Sequence, residues 1–131
     1  MPMLIEKVDL PAPRDDREAH YSAAVTVEPS APGRVRAELR LSRNGKPARL
    51  DSAEIDLRSG FVAVTGAEVI VASKYLICLG GCGLSHLVKE IMACRRAGHQ
   101  DFDALLRCLK DKLGALADDL VACAAGCLVT V

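Results

Sequence analysis

The sequence predicts an α+β fold. A small antiparallel β-sheet or sandwich spans about residues 4–79, and an antiparallel helical hairpin follows with arms at about 85–97 and 102–127. Three observations lead there. Apolar residues recur with period two through the first half, the spacing of half-buried strands. Toward the C-terminus they recur every three to four positions, the spacing of a helix face. All six cysteines fall between Cys78 and Cys127. The organisation reads as a β module, 1–79, and a cysteine-rich hairpin, 80–131, packed together as one domain where their apolar faces meet.

Residues 1–18 form an irregular lead-in, with Pro2, Pro11 and Pro13 around one edge strand from Leu4 to Leu10. Tyr21, Ala23, Val25 and Val27 then share a face, until "EPSAPG" stops the run. Val35, Ala37, Leu39 and Leu41 alternate with Arg34, Arg36, Glu38 and Arg40, a strand with one buried and one charged face. "RNGK" is a hairpin turn, because Asn-Gly accepts positive φ. Ala53, Ile55 and Leu57 alternate with Glu54, Asp56 and Arg58, and "RSG" turns the chain into "FVAV". After Gly66 comes "EVIVASKYLICL". Its β-branched residues favour a strand, its length would also suit a buried helix, and 67–79 is read as a strand. Read as a strand, it completes a sheet of five or six.

Beyond the glycines the period is helical. Ser85 can cap a helix, and Gly98 can end it after Arg95 and Arg96. Leu84, Leu87, Val88, Ile91 and Cys94 form its stripe. Asp101 restarts a helix in which Phe102, Leu105, Leu106, Leu109, Leu113, Leu116, Leu120, Cys123 and Cys127 lie on one arc, with Arg107, Asp111 and Asp118 opposite. The short connector "AGHQ" makes the two arms antiparallel.

Composition narrows the function classes. Half the residues are apolar, but only four are aromatic and none is Trp, so the core is built from Val, Leu, Ile and Ala. Basic and acidic residues balance at 17 each, which leaves no global field for nucleic acid or an anionic membrane. With so few stacking aromatics, nucleic-acid binding is not expected. The N-terminus lacks the pattern of a secretory signal. No run reaches the roughly 18 apolar residues of a membrane span. The last twelve residues, "LVACAAGCLVTV", suit a buried helix end.

Six cysteines this close point to disulfides or metal. The missing signal argues for a reducing compartment, where stable disulfides are rare. The two observations conflict: either the protein leaves by a non-standard route into an oxidising environment, or the thiols are reduced or metal-bound in the cytoplasm. The spacing favours bridges. Cys78 and Cys127, and Cys82 and Cys123, lie at equal distances from one point in the sequence, and Cys94 and Cys108 nearly so. That point is near residue 101, where the composition separately places the turn. Nested pairing, Cys78–Cys127, Cys82–Cys123 and Cys94–Cys108, follows for an antiparallel hairpin. Each bridge would contribute roughly 2–4 kcal/mol. The competing account is packing: Cys94, Cys123 and Cys127 lie on apolar stripes, where free thiols are common.

"CLGGCGLSH", residues 78–86, holds the other possibility. In one continuous helix, Cys78, Cys82 and His86 would share a face opposite Leu84, Leu87 and Ile91, away from the partner arm. Gly80, Gly81 and Gly83 argue against such a helix. The expectation is therefore that Cys78 ends a strand, Cys82 sits in a glycine loop and the helix begins near Ser85. Cys78, Cys82, Cys123 and Cys127 are candidates for a four-thiolate metal site, or Cys78, Cys82 and His86 with one more thiolate for a Cys3His zinc site. Zinc or copper is the alternative cofactor. The run C-x3-C-G-x2-H also resembles the ligand loop of the copper-A domain in cytochrome oxidase subunit two. Lys89 stands where that family has Met, and no His lies near Arg43 where its other His belongs, so only a generic metal site is retained. His86 alone reads as a solvent-facing helix residue, and His99 as a turn residue.

There is no phosphate-binding glycine loop and no strand-to-helix nucleophile elbow. Asp15 with Asp16, and Asp118 with Asp119, read as solvated surface. Gly80-Gly81 is a candidate double-glycine processing site, but Ile70, Lys74 and Tyr75 suit such a leader poorly, and cleavage would part Cys78 from Cys127. The functional expectation is a non-enzymatic, small exported protein whose disulfide-stapled hairpin binds a partner protein or a membrane, a bacteriocin- or toxin-like antimicrobial role among the options. Its logic is similar to that of saposin-like and cysteine-rich bacteriocin proteins, although the spacings match neither. The alternative is a cytosolic Cys/His metal-binding or thiol-redox regulatory protein. A thiol enzyme using Cys82 ranks third.

Overall fold

The computed structural model describes residues 3–98 and 101–130; His99, read from the sequence as a turn residue, lies outside them. Five antiparallel strands form one meandering sheet in chain order: β1 (Met3–Leu10), β2 (Tyr21–Ala31), β3 (Arg34–Arg43), β4 (Lys46–Asp56) and β5 (Val62–Val69). A short 3-10 turn at Arg14–Asp16 links β1 to β2. Three helices follow: α1 (Lys74–Arg96), α2 (Phe102–Asp111) and α3 (Leu113–Thr130). This is an α+β fold, sheet first and helical hairpin second.

The alternation read from the sequence sets the register. Val25 pairs with Leu39, Val27 with Ala37 and Val35 with Ile55, all on the face the helices cover. Asn44 and Gly45, both at positive φ, make the tight turn between β3 and β4. The strand β2 runs on through "EPSA" to Ala31, where "EPSAPG" was expected to stop it. The opposite sheet face is polar: Glu38 sits between Arg36 and Arg40, bonded to Arg40 at 2.9 Å and 3.1 Å from Arg36 Nε.

Helix α1 lies over β3 and β4, and α3 lies against β1. One continuous apolar cluster joins the two layers, with Leu39, Leu41 and Ile55 from the sheet and Leu76, Leu79, Leu87, Ile91, Leu105 and Leu116 from the helices. Burial of this kind contributes roughly 1.5–3 kcal/mol per large aliphatic side chain.

Three expectations are corrected. The run after Gly66 is a strand only to Val69. Ser73 then caps α1, its side chain accepting from Leu76 N–H at 3.1 Å, so Tyr75 to Leu79 is helix, not strand. The glycines do not form a loop: α1 continues through Gly80, Gly81 and Gly83. Helix packing outweighs their poor propensity, because the backbone at Gly80 and Gly83 presses against neighbouring side chains. The second arm is not one helix either. It breaks at Lys112, whose N–H bonds back only three residues to Leu109, and α3 restarts beside the weak helix former Gly114. The apolar arc continues across the break through Leu109 and Leu116, so periodicity alone does not reveal it.

Continuity through the glycines has one more consequence. By length and composition, Lys74–Arg96 is apolar enough to cross a membrane, a segment hidden when it was divided between a strand and a shorter helix. In this fold it is the central core helix, with Leu76, Leu87 and Ile91 fully buried.

Candidate functional site

The chemistry of the chain concentrates where α1 meets α3. Cys78 and Cys82 stand one turn apart on α1, and Cys123 and Cys127 one turn apart on α3. Cys78 is bonded to Cys127 with Cα atoms 5.7 Å apart, and Cys82 to Cys123 at 6.1 Å. The third bridge, Cys94–Cys108, ties α1 to α2 beside the bend, at 5.9 Å. These are ordinary separations for bridged residues. Cys94, Cys123 and Cys127 are buried, and Cys78, Cys82 and Cys108 are half-buried.

A continuous α1 was expected to point Cys78 and Cys82 away from the partner arm. That inference assumed a single apolar face. In fact α1 buries two adjoining flanks. Leu76, Leu87 and Ile91 are buried in the core shared with the sheet, while Cys78 and Cys82 bond to α3. Gly83 lies at the junction, close to Leu39 of β3 and Leu120 of α3.

The two neighbouring bridges form one sulfur cluster. Cys82 Sγ lies 3.8 Å from Cys127 Sγ, across the diagonal of the four positions. The Sγ atoms of Cys78, Cys82 and Cys127 all lie within 4.8 Å of one another. His86, the imidazole of the Cys3His alternative, is outside this group; its Nδ1 is 3.8 Å from Asp119 Oδ2. Gly80 and Gly81 sit inside the helix, Gly80 buried against Arg49 and Asp51 and Gly81 facing open space.

Two further features were not legible in the sequence. Asp16, read as solvated surface, accepts two hydrogen bonds of 2.7 Å from Arg43 and one from the Tyr21 hydroxyl. The Arg43 guanidinium, with the Tyr21 hydroxyl, holds its carboxyl down at about 2. Tyr21 meets Tyr75 edge-to-face at 5.2 Å. Burial pushes the Tyr75 hydroxyl up to about 12, and it donates to the Pro11 carbonyl. Asp16, Tyr21, Arg43 and Tyr75 line one cleft together with Leu128. The only signal was a Tyr–Arg pair directly opposed across β2 and β3, visible once the register is known.

The second feature is an apolar surface along β5. Its residues Val62, Val64, Ala67 and Val69 pair with β4 residues of the helix-covered face; Val62 packs against the core, but Val64, Ala67 and Val69 are left exposed. Val64 is 75% and Val69 50% exposed, and Phe61, Ile70 and Ile77 are also exposed large apolar residues. Comparison with known protein families, curated proteins and solved structures finds no match.

Proposed function

We propose that this chain is a non-enzymatic exported protein whose stapled hairpin rigidly presents an edge strand to a protein partner. The observation that carries the reading is the exposed apolar inner face of β5, at Val64 and Val69, on a strand that pairs only with β4 among the described residues. Edge strands are usually blunted by Lys, Pro or a covering element, and β5 has neither Lys nor Pro. Its sequence, "VAVTGAEV", carries a single charge at Glu68. A partner with an extended apolar segment would add a strand there, backbone to backbone, with its side chains on Val64 and Val69. The bridges support export, since disulfides persist in oxidising environments.

A photo-crosslinking phenylalanine analogue at position 64, with one at Arg40 on the polar face as control, tests this in the source cell. The reading expects a defined protein adduct at 64, absent at 40, and lost when Val69→Lys is added to a chain of unchanged stability. A lipid adduct at 64 replaces the protein partner with a membrane. No adduct at 64, or free alkylation of the six cysteines without reductant, overturns the proposal.

A further inference from the structure

We infer that the reduced chain carries a second function in the same cluster: Cys78, Cys82, Cys123 and Cys127 form a four-thiolate zinc site that exists when the two α1–α3 bridges are open. The site does not depend on the β5 surface or on export.

The geometry is the argument. The paired positions are 5.7 and 6.1 Å apart across the helices, and residues four apart on one helix are separated by about 6 Å of rise. The four Cα atoms therefore mark a near-square, with both helices in contact along it. The Sγ atoms of Cys82 and Cys127 approach to 3.8 Å across its diagonal, so the side chains converge on the centre. Zinc binds thiolate at about 2.3 Å in a tetrahedron, which sets sulfur atoms roughly 3.8 Å apart. The Cys82–Cys127 separation already has that value. Cys78 completes a triangle within 4.8 Å, and Cys123 is brought in as the fourth ligand by rotating its side chain once its bond to Cys82 opens. The other helix contacts hold the frame: Leu79 and Leu120 are buried between the layers.

The interconversion balances with a thiol–disulfide partner. Two external disulfides accept four electrons from the zinc-bound thiolates, breaking to four thiolates as the Cys78–Cys127 and Cys82–Cys123 bonds form. Zinc leaves as the divalent ion. In reverse, two external dithiols reduce the two bridges, each becoming a disulfide, and zinc displaces four protons from the resulting thiols. The cluster thus converts thiol oxidation into zinc release.

The test uses the full-length chain with Cys94→Ser and Cys108→Ser, reduced with a trialkylphosphine under anaerobic conditions. Cobalt(II) alone is titrated first, as a spectroscopic stand-in, then zinc chloride. The expected result is one equivalent of cobalt with thiolate charge-transfer and tetrahedral d–d absorption, displaced by one equivalent of zinc. Each of Cys78→Ser, Cys82→Ser, Cys123→Ser and Cys127→Ser weakens binding about tenfold or more. Circular dichroism follows the fold throughout. Absence of the tetrahedral spectrum, binding that survives loss of Cys82 and Cys127 together, or a reduced chain that stays unfolded when zinc is added each overturns the site.

Discussion

Gly83 of α1 packs so closely over Leu39 of β3 that a Cβ there would lie 2.6 Å from Leu39 Cδ2, with Leu120 Cδ2 at 3.3 Å. Helices α1 and α3 and the sheet therefore meet at a residue without a side chain. Gly80 makes a similar approach to the Arg49–Asp51 ion pair, whose side chains are only 12% and 9% exposed. Gly81, between them, faces open space.

A graded outcome follows for Ala substitutions along one turn. Gly81→Ala gains helix propensity without a clash and should stabilise by roughly 0.5–1 kcal/mol. Gly83→Ala and Gly80→Ala should destabilise by about 1–3 kcal/mol despite the same gain, because either α1 or the largely buried side chains of Leu39, Arg49 and Asp51 must shift. Urea midpoints for the three variants check this. Equal effects at all three positions would mean that α1 does not press on the sheet there.

These glycines also explain where sequence reading succeeded and failed. The strands were legible because Val35 to Leu41 alternate against charges and Asn44-Gly45 demands a turn. The antiparallel arms were legible because Leu105, Leu109, Leu116 and Leu120 repeat at helical spacing. Helix α1 was misread because local propensity speaks against Gly80, Gly81 and Gly83, whereas the reason for two of them lies in β3 and β4, remote in sequence. The cysteine face was misjudged for a related cause: a helix packed on two neighbours has no single apolar stripe. The Asp16–Arg43–Tyr21 group depends on residues up to 27 apart and on strand register, so nothing local marks it.

The neighbouring bridges should not act additively. Cys78–Cys127 closes a separation of 49 residues and Cys82–Cys123 one of 41. With either intact, the other closes only the few residues between the two pairs. By loop-closure entropy, losing one bridge through a double Cys→Ser change should cost about 2.5 kcal/mol, and losing both about 6 kcal/mol. The excess over the sum of the single losses is the coupling. Denaturant melts of the three variants measure it; strictly additive costs would mean that the bridges do not share one loop.

The Asp16 carboxyl gives acid unfolding a specific contributor. Its folded pKa, about 2, is below the ordinary carboxylate value, so below about pH 4 the unfolded chain takes up a proton that the folded chain refuses. The stabilisation is complete above that range and is lost as pH falls from about 4 to about 2. Asp16→Asn should lower stability at neutral pH and flatten the dependence across this window. Urea midpoints at several pH values read the slope. An unchanged slope in Asp16→Asn would assign the acid sensitivity to other carboxyls, of which Asp56 is also held low by the Ser59 and Arg58 backbone N–H groups.

Arg95 anchors the end of α1 to the sheet. From the sequence it was only a basic residue near a helix stop. Its Nε donates to the Leu57 carbonyl at 2.9 Å and its Nη2 to the Arg58 carbonyl at 2.7 Å. Both acceptors lie in the turn between β4 and β5, where Gly60 adopts positive φ beside the guanidinium. The planar fork satisfies two successive carbonyls at once, which an ammonium group cannot reproduce with the same geometry. Arg95→Ala should therefore cost about 1–3 kcal/mol, and Arg95→Lys should recover only part of it. Because this turn sets the start of β5, the same variants should speed amide exchange from Val62 to Val64 more than in β2. Full recovery by Lys would reduce the contact to charge alone, and uniform exchange across the sheet would show that the turn is not held through this side chain.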